Sequence, residues 1–242
     1  MFLALPFFGC PSSAERSLQQ GHQLAKKSQW AQASSAYAAA AAAEPSSAQA
    51  HALVGVAQLR LGDGAQAASA FDRALALEPT SAPARLGLAG LALAERDAGA
   101  AIAWVEPLST ATASAVRSRA LLLRGGEGDA EAALVEARAA LTLEPDHLEA
   151  RYLEGSALLA LSRYAEAQSR FEDLERLARQ SPFGAYGLAR LAAAQRRSTD
   201  VLLYLKAARA AARDGWRPAD VAADPAFAFL VGSPAFTDVV GP

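Results

Sequence analysis

Residues 55–79 read GVAQLRLGDGAQAASAFDRALALEP, and five of them set a rhythm: Gly55, Ala67, Phe71, Ala74 and Pro79. Thirty-four residues upstream the same order stands as Gly21, Ala33, Tyr37, Ala40 and Pro45, at identical spacings. Working outward, the next step reaches Ala89 and Ala101, and a later block ends in Ala133, Ala137, Ala140 and Pro145. Gly155, Ala167, Phe171 and Leu174 repeat the pattern, and Ala189, Val201, Leu205 and Ala208 follow 34 residues later. Gly55 and Gly155 lie 100 residues apart, two short of three periods. A deletion therefore falls between Ala89 and Leu121, near Pro107. A fixed period of this size is the mark of a stacked-repeat architecture.

The spacing describes two antiparallel helices per repeat. A small residue (Gly21, Gly55, Ala89, Gly155, Ala189) marks where the first helix is crossed closely, and Ala33, Ala67, Ala101, Ala133 and Ala167 allow the same approach from the second. The aromatic four residues on (Tyr37, Phe71, Phe171) shares that face and fills the space between repeats. Pro45, Pro79 and Pro145, each after Glu, stop the second helix. Gly62-Asp63-Gly64, Arg96-Asp97 and the run from Gly125 to Asp129 supply turns. One repeat cannot bury its own apolar face, so repeats must stack.

Composition agrees. Of 242 residues, 63 are Ala, and the chain is 52% hydrophobic but only 7% aromatic. That excess of a strong helix former and poor strand former argues against a β-sandwich or barrel. A net charge of −2 argues against a nucleic-acid face built on bulk charge. One Cys excludes an internal disulfide, and His22, His51 and His147 lack metal-ligand spacing. No Gly-x-Ser-x-Gly elbow, phosphate loop or dinucleotide fingerprint occurs, so no catalytic residue, cofactor, metal or small-molecule substrate is expected.

The period, the small–Ala–aromatic–Ala–Pro order and the phrases SRYAEA (162–167) and ALALEP (74–79) resemble the tetratricopeptide repeat (TPR) family. The resemblance covers residues 14–215 in six units, beginning near Ala14, Ala48, Ala82, Ser114, Leu148 and Pro182. It implies an all-α, right-handed α-solenoid. Leu121 departs from the pattern, and the break at Glu106-Pro107 predicts a kink or a shortened helix. In this family the first helix of each unit lines a concave groove that binds proteins or peptides. The groove positions here include Leu18, His22, Val56, Arg60, Leu86, Leu122, Tyr152, Ser156, Tyr186 and Arg190. The family's clamp for acidic C-terminal tails has Lys and Asn where Leu18 and His22 stand, so that specificity is not expected.

The ends differ from the repeats. Residues 1–13 begin MFLALPFFGC, an apolar run closing on Gly9-Cys10 before Pro11-Ser12-Ser13. This resembles a bacterial lipobox, which implies lipid on Cys10 and a place in the cell envelope. No Lys or Arg precedes the run, and Phe7 replaces the customary Leu. The alternative is an apolar tail packed on the first helix of a cytoplasmic protein. Residues 216–242 hold three Phe and are expected to depart from the repeat as a helical cap, with Phe227, Phe229, Leu230 and Phe236 as its core. Two functions remain open: a non-catalytic interaction scaffold or adaptor that uses the groove, and a structural spacer or assembly subunit that uses its convex face or ends, including self-association.

Overall fold

The computed structural model describes residues 12–212 and 215–241, so Cys10 and the lipobox-like run lie outside the described residues. Within them no strand occurs. The chain divides into two compact units. The first, ending at Leu108, holds three helical hairpins: α1 (Ser13–Lys26) with α2 (Trp30–Ala43), α3 (Ala48–Leu61) with α4 (Gly64–Leu77), and α5 (Ala82–Ala94) with α6 (Ala98–Val105). The second, beginning at Ser109, holds three more: α7 (Ala111–Arg124) with α8 (Asp129–Leu143), α9 (Leu148–Ala160) with α10 (Tyr164–Leu177), and α11 (Phe183–Ala194) with α12 (Ser198–Ala212). The first helices begin within three residues of the six expected starts. At the expected break, α6 has only 8 residues and ends ahead of Pro107.

Five of the six hairpins turn in the same way. Ser28, Gly62, Arg96, Ser162 and Arg196 all take positive φ just after a first helix. The next residue in each case donates its amide back across the turn: Gln29 to Leu24, Asp63 to Gln58, Asp97 to Ala92, Arg163 to Leu158 and Arg197 to Ala192. That six-to-one bond closes a helix whose last carbonyls would otherwise be orphaned. A second latch recurs at the end of the hairpin. The side chain six residues past each proline meets its carbonyl: His51 Nε2 lies 3.2 Å from Pro45 O, Arg85 Nε donates to Pro79 O at 2.8 Å, and Arg151 Nη2 to Pro145 O at 2.6 Å.

The core is built on the expected small residues. Ala33, Ala67, Ala101, Ala133 and Ala167 are fully buried, and so are Phe71 and Phe171. Each Phe ring is gripped from both sides. A Cβ on Gly55 would stand 2.5 Å from Phe71, and one on Gly87 would stand 2.2 Å from it. Gly155 and Gly187 hold Phe171 at the same two distances. Where α8 carries Ala137 instead of an aromatic, α7 contributes a polar tie: buried Ser118 donates to the Ala133 carbonyl at 2.8 Å.

First helices of successive hairpins touch one another, α3 with α5 in the first unit, and α7 with α9 and α9 with α11 in the second. The second unit then ends in α13 (Pro218–Ala222), a 3₁₀-helix (Pro225–Leu230) and α14 (Pro234–Val240). This cap is short and helical, as expected, and it also keeps close to the step of the repeat. Its α13 begins 35 residues after α11 and its α14 begins 36 after α12, so it is a truncated seventh hairpin. Phe227, Leu230 and Phe236 are buried with Val201 and Leu205 of α12. Arg209 Nη1 donates to Val239 O at 3.0 Å and Trp216 Nε1 to Val240 O at 2.8 Å, which ties down the last helix. Phe229, expected in the cap core, is 37% exposed, because the 3₁₀ turn directs it away from Phe227.

Candidate functional site

The ten groove positions fall in two sets. In the first unit, Leu18 and Val56 are half-buried against the clusters around Tyr37 and Phe71, so much of their area already serves packing. Leu86 is half-buried as well. His22 is exposed with its ring edge-on to Tyr37, 5.6 Å between centroids. Arg60 is exposed with its guanidinium 5.5 Å from the Trp30 ring. These residues line a face, but the structure brings no two of them into a shared polar contact.

The second unit does bring its set together. Leu122 packs beside Tyr152. Tyr152 stacks on Phe183 at 5.4 Å and leans on Phe171 at 6.0 Å. Arg190 Nη1 donates to the Tyr152 hydroxyl at 3.3 Å. Tyr186 donates to Asp224 Oδ2 at 2.7 Å, and Arg190 Nε lies 3.4 Å from the same oxygen. The other carboxylate oxygen accepts the Ala226 amide at 2.9 Å, which starts the 3₁₀-helix. Ser156 is buried, and its Oγ has no hydrogen-bond partner.

Register explains the meeting. Asp220 and Asp224 of the cap stand 34 residues after Tyr186 and Arg190, which stand 34 after Tyr152 and Ser156. The cap thus continues the row of inward positions with two carboxylates. Burial, then the charge and hydrogen bond of Asp224, push the Tyr186 hydroxyl above its ordinary range. Burial opposes the charge on Arg190, but Tyr152 and Asp224 outweigh it and hold the guanidinium above its usual value. Both groups therefore keep one protonation state at ordinary pH.

Two pockets flank this network. One of about 290 Å³ is lined by Tyr152, Phe183, Tyr186, Trp216 and Val221, with Asp220 and Arg217 at its edge. The other, of about 650 Å³, runs from Leu159 past Arg190 to Arg196 and Phe229. Sequence reasoning missed Phe183, Trp216, Asp224, Arg196 and Phe229 as parts of this face. The signal for Asp224 was present, since it falls one period after Arg190.

Comparison with known proteins now has a geometry to meet. One tetratricopeptide-repeat family model matches residues 18–82 and a second matches 58–123. Residues 18–123 thus carry tetratricopeptide repeats. Solved structures agree on the fold of this TPR protein. PilW, described as a widely conserved type IV pilus biogenesis factor, is 14% identical with a TM-score of 0.68; the match covers 83% of this chain and 94% of that one. PilF of Pseudomonas aeruginosa is 18% identical, covers 82% and 91%, and has a TM-score of 0.61. YrrB, described as a TPR protein with an unusual peptide-binding site, is 17% identical, covers 74% and 93%, and has a TM-score of 0.51. No curated protein sequence matches the chain. No described helix is long and apolar enough to cross a membrane.

Proposed function

We propose that this TPR protein is a non-catalytic adaptor that holds a peptide segment of a partner protein along the face formed by α9, α11 and the cap. One observation carries the reading: Asp224 holds Tyr186 and Arg190, and Arg190 in turn meets the Tyr152 hydroxyl, with an open pocket on each side. Preorganised aromatic and Arg side chains are the groups that dominate binding energy at interfaces, because little entropy is lost when they engage. TPR proteins typically bind proteins or peptides, and the peptide-binding site described for YrrB, a protein of similar fold, supports the reading. The pilus role described for PilW favours work within the cell envelope, and lipid on Cys10 would supply the anchor. Mass spectrometry of the mature N-terminus in the native host tests that part: Met1 intact on the native protein rules the anchor out.

A second reading has its own support. Val135, Leu177 and Leu203, on the second helices, are each more than 60% exposed, which suits a spacer or assembly subunit bound from that side. Photo-crosslinking in the native host separates the two. A benzophenone side chain placed at Ala194 or Gly215, both exposed at the pocket edges, should capture a discrete partner. Capture only from Val135 and Leu203 would overturn the groove reading in favour of the spacer.

A further inference from the structure

The larger pocket has a polarity of its own. Its lining is Leu159, Ala193, Ala194 and the Pro225–Phe229 segment, and its charged groups are Arg190 and Arg196. The two cations are not equivalent. Arg190 is already matched by Asp224. Arg196 has no carboxylate within ion-pair distance among the described residues; its guanidinium lies 4.7 Å from the centroid of the Phe229 ring. Its neighbour Arg197 is paired with Asp200 at 2.8 Å, so that carboxylate is already committed. A guanidinium held over a ring keeps N–H donors for a planar acceptor and loses little further entropy when it meets one. Asp224, which precedes the lining residue Pro225, is held by Tyr186, Arg190 and the Ala226 amide. One unmatched cation therefore faces a cavity whose other lining side chains are apolar.

Resting on the adaptor reading above, we propose that this pocket receives an Asp or Glu side chain of the partner peptide on the Arg196 guanidinium, with an apolar neighbour of that residue against Leu159, Ala193 and Ala194. Arg190 is committed to Asp224, so the role falls to Arg196, which lies over the cap residue Phe229. The pocket exists only because the cap folds over α11.

The test is a phage selection of random dodecamers on the immobilised full chain, run in parallel on the Arg196→Gly variant. Residue 196 has a φ of 57°, in the left-handed region, as Gly62 does at the equivalent turn with a φ of 82°, so Gly removes the guanidinium without backbone cost. Its melting temperature should match the parent's. Peptides selected on the parent should carry an Asp or Glu beside Leu, Ile or Phe, and those from Arg196→Gly should not. For the best peptide, Arg196→Gly and the peptide's Glu→Gln change should each weaken binding by about tenfold or more, with little further loss when combined. Arg196→Lys should recover part of the affinity. Tight peptides without acid enrichment, or with fully additive losses, overturn the carboxylate proposal while leaving the adaptor reading intact. Peptides insensitive to the pocket-filling changes Ala194→Trp and Gly215→Tyr, or no peptides at all, overturn both.

Discussion

The grip on Phe71 yields a sharp test when one chemical change is made at two glycines of the same unit. Adding a methyl at Gly55 would place carbon 2.5, 2.6 and 2.9 Å from three ring atoms of Phe71. Comfortable carbon–carbon contact is about 3.5–4.0 Å, so the ring must retreat by about 1 Å. Its far side is closed, because a Cβ on Gly87 would already stand 2.2 Å from the ring. Overpacking of this kind costs about 1–3 kcal/mol. Replacing Gly by Ala inside a helix returns about 1 kcal/mol. Gly55→Ala should therefore be destabilising by up to about 2 kcal/mol. Gly90 is exposed on α5 with no atom near the site of a Cβ, so Gly90→Ala should stabilise by up to about 1 kcal/mol. Urea unfolding followed by far-ultraviolet circular dichroism reads both. Combining Gly55→Ala with Phe71→Leu should recover part of the loss, since the smaller side chain leaves room for the methyl. A Gly55→Ala protein as stable as Gly90→Ala would refute the packing argument.

Three further expectations concern stability. Hydrogen bonds from Arg124 and from the Gly126 amide hold the Asp129 carboxyl at about 2, below its unfolded value, so its contribution is present above about pH 4 and is lost as pH falls toward 2. The Asp129→Asn variant should lack that component in acid titrations of the unfolding midpoint, and an unchanged acid profile would count against it. Ser118→Ala removes the buried bond to Ala133 O and should cost about 1 kcal/mol by urea unfolding; an unchanged midpoint would show the tie to be idle. Truncation after Gly215 uncovers Val201 and Leu205 and should drive self-association in light scattering, whereas a truncated chain that stays monomeric and equally stable would contradict the capping role.

The repeat core was legible in the sequence because it depends on residue size at fixed intervals. The buried alanines, the aromatic fillers and the six hairpin starts all follow from a period of 34. Gly87 and Gly187 escaped because they do not keep that period with Gly55 and Gly155; they keep a different symmetry. Each stands 16 residues after its Phe, just as Gly55 and Gly155 stand 16 before. The first helix of one repeat and the first helix of the next close on the ring from opposite sides, which a search for a single period cannot find. The polar site was half legible. Tyr152, Tyr186 and Arg190 could be placed on one face from helix geometry, but their partner could not, since three prolines and a 3₁₀ turn hide the continuity of the cap with the repeat. Exposure of Phe229 was illegible for a related reason: an alternating Phe-Ala-Phe does not say which ring turns inward.

The location of the site follows from where the stack ends. An inward position in the middle of the array faces equivalent positions on both neighbouring hairpins, so apolar or small side chains suffice there. At the last full hairpin one neighbour is missing, and Tyr186 and Arg190 need a complement that the repeat itself does not provide. The truncated hairpin supplies it by carrying Asp224 one period on, with one oxygen starting the 3₁₀-helix and the other returning to α11. Covering the apolar end of the stack requires only Phe227, Leu230 and Phe236. Neither the pairing of Asp224 with Arg190 nor the outward stacking of Phe229 under Arg196 serves that coverage. Both make sense if the cap is a wall of the recognition surface, fixing one cation internally and leaving the other to a partner.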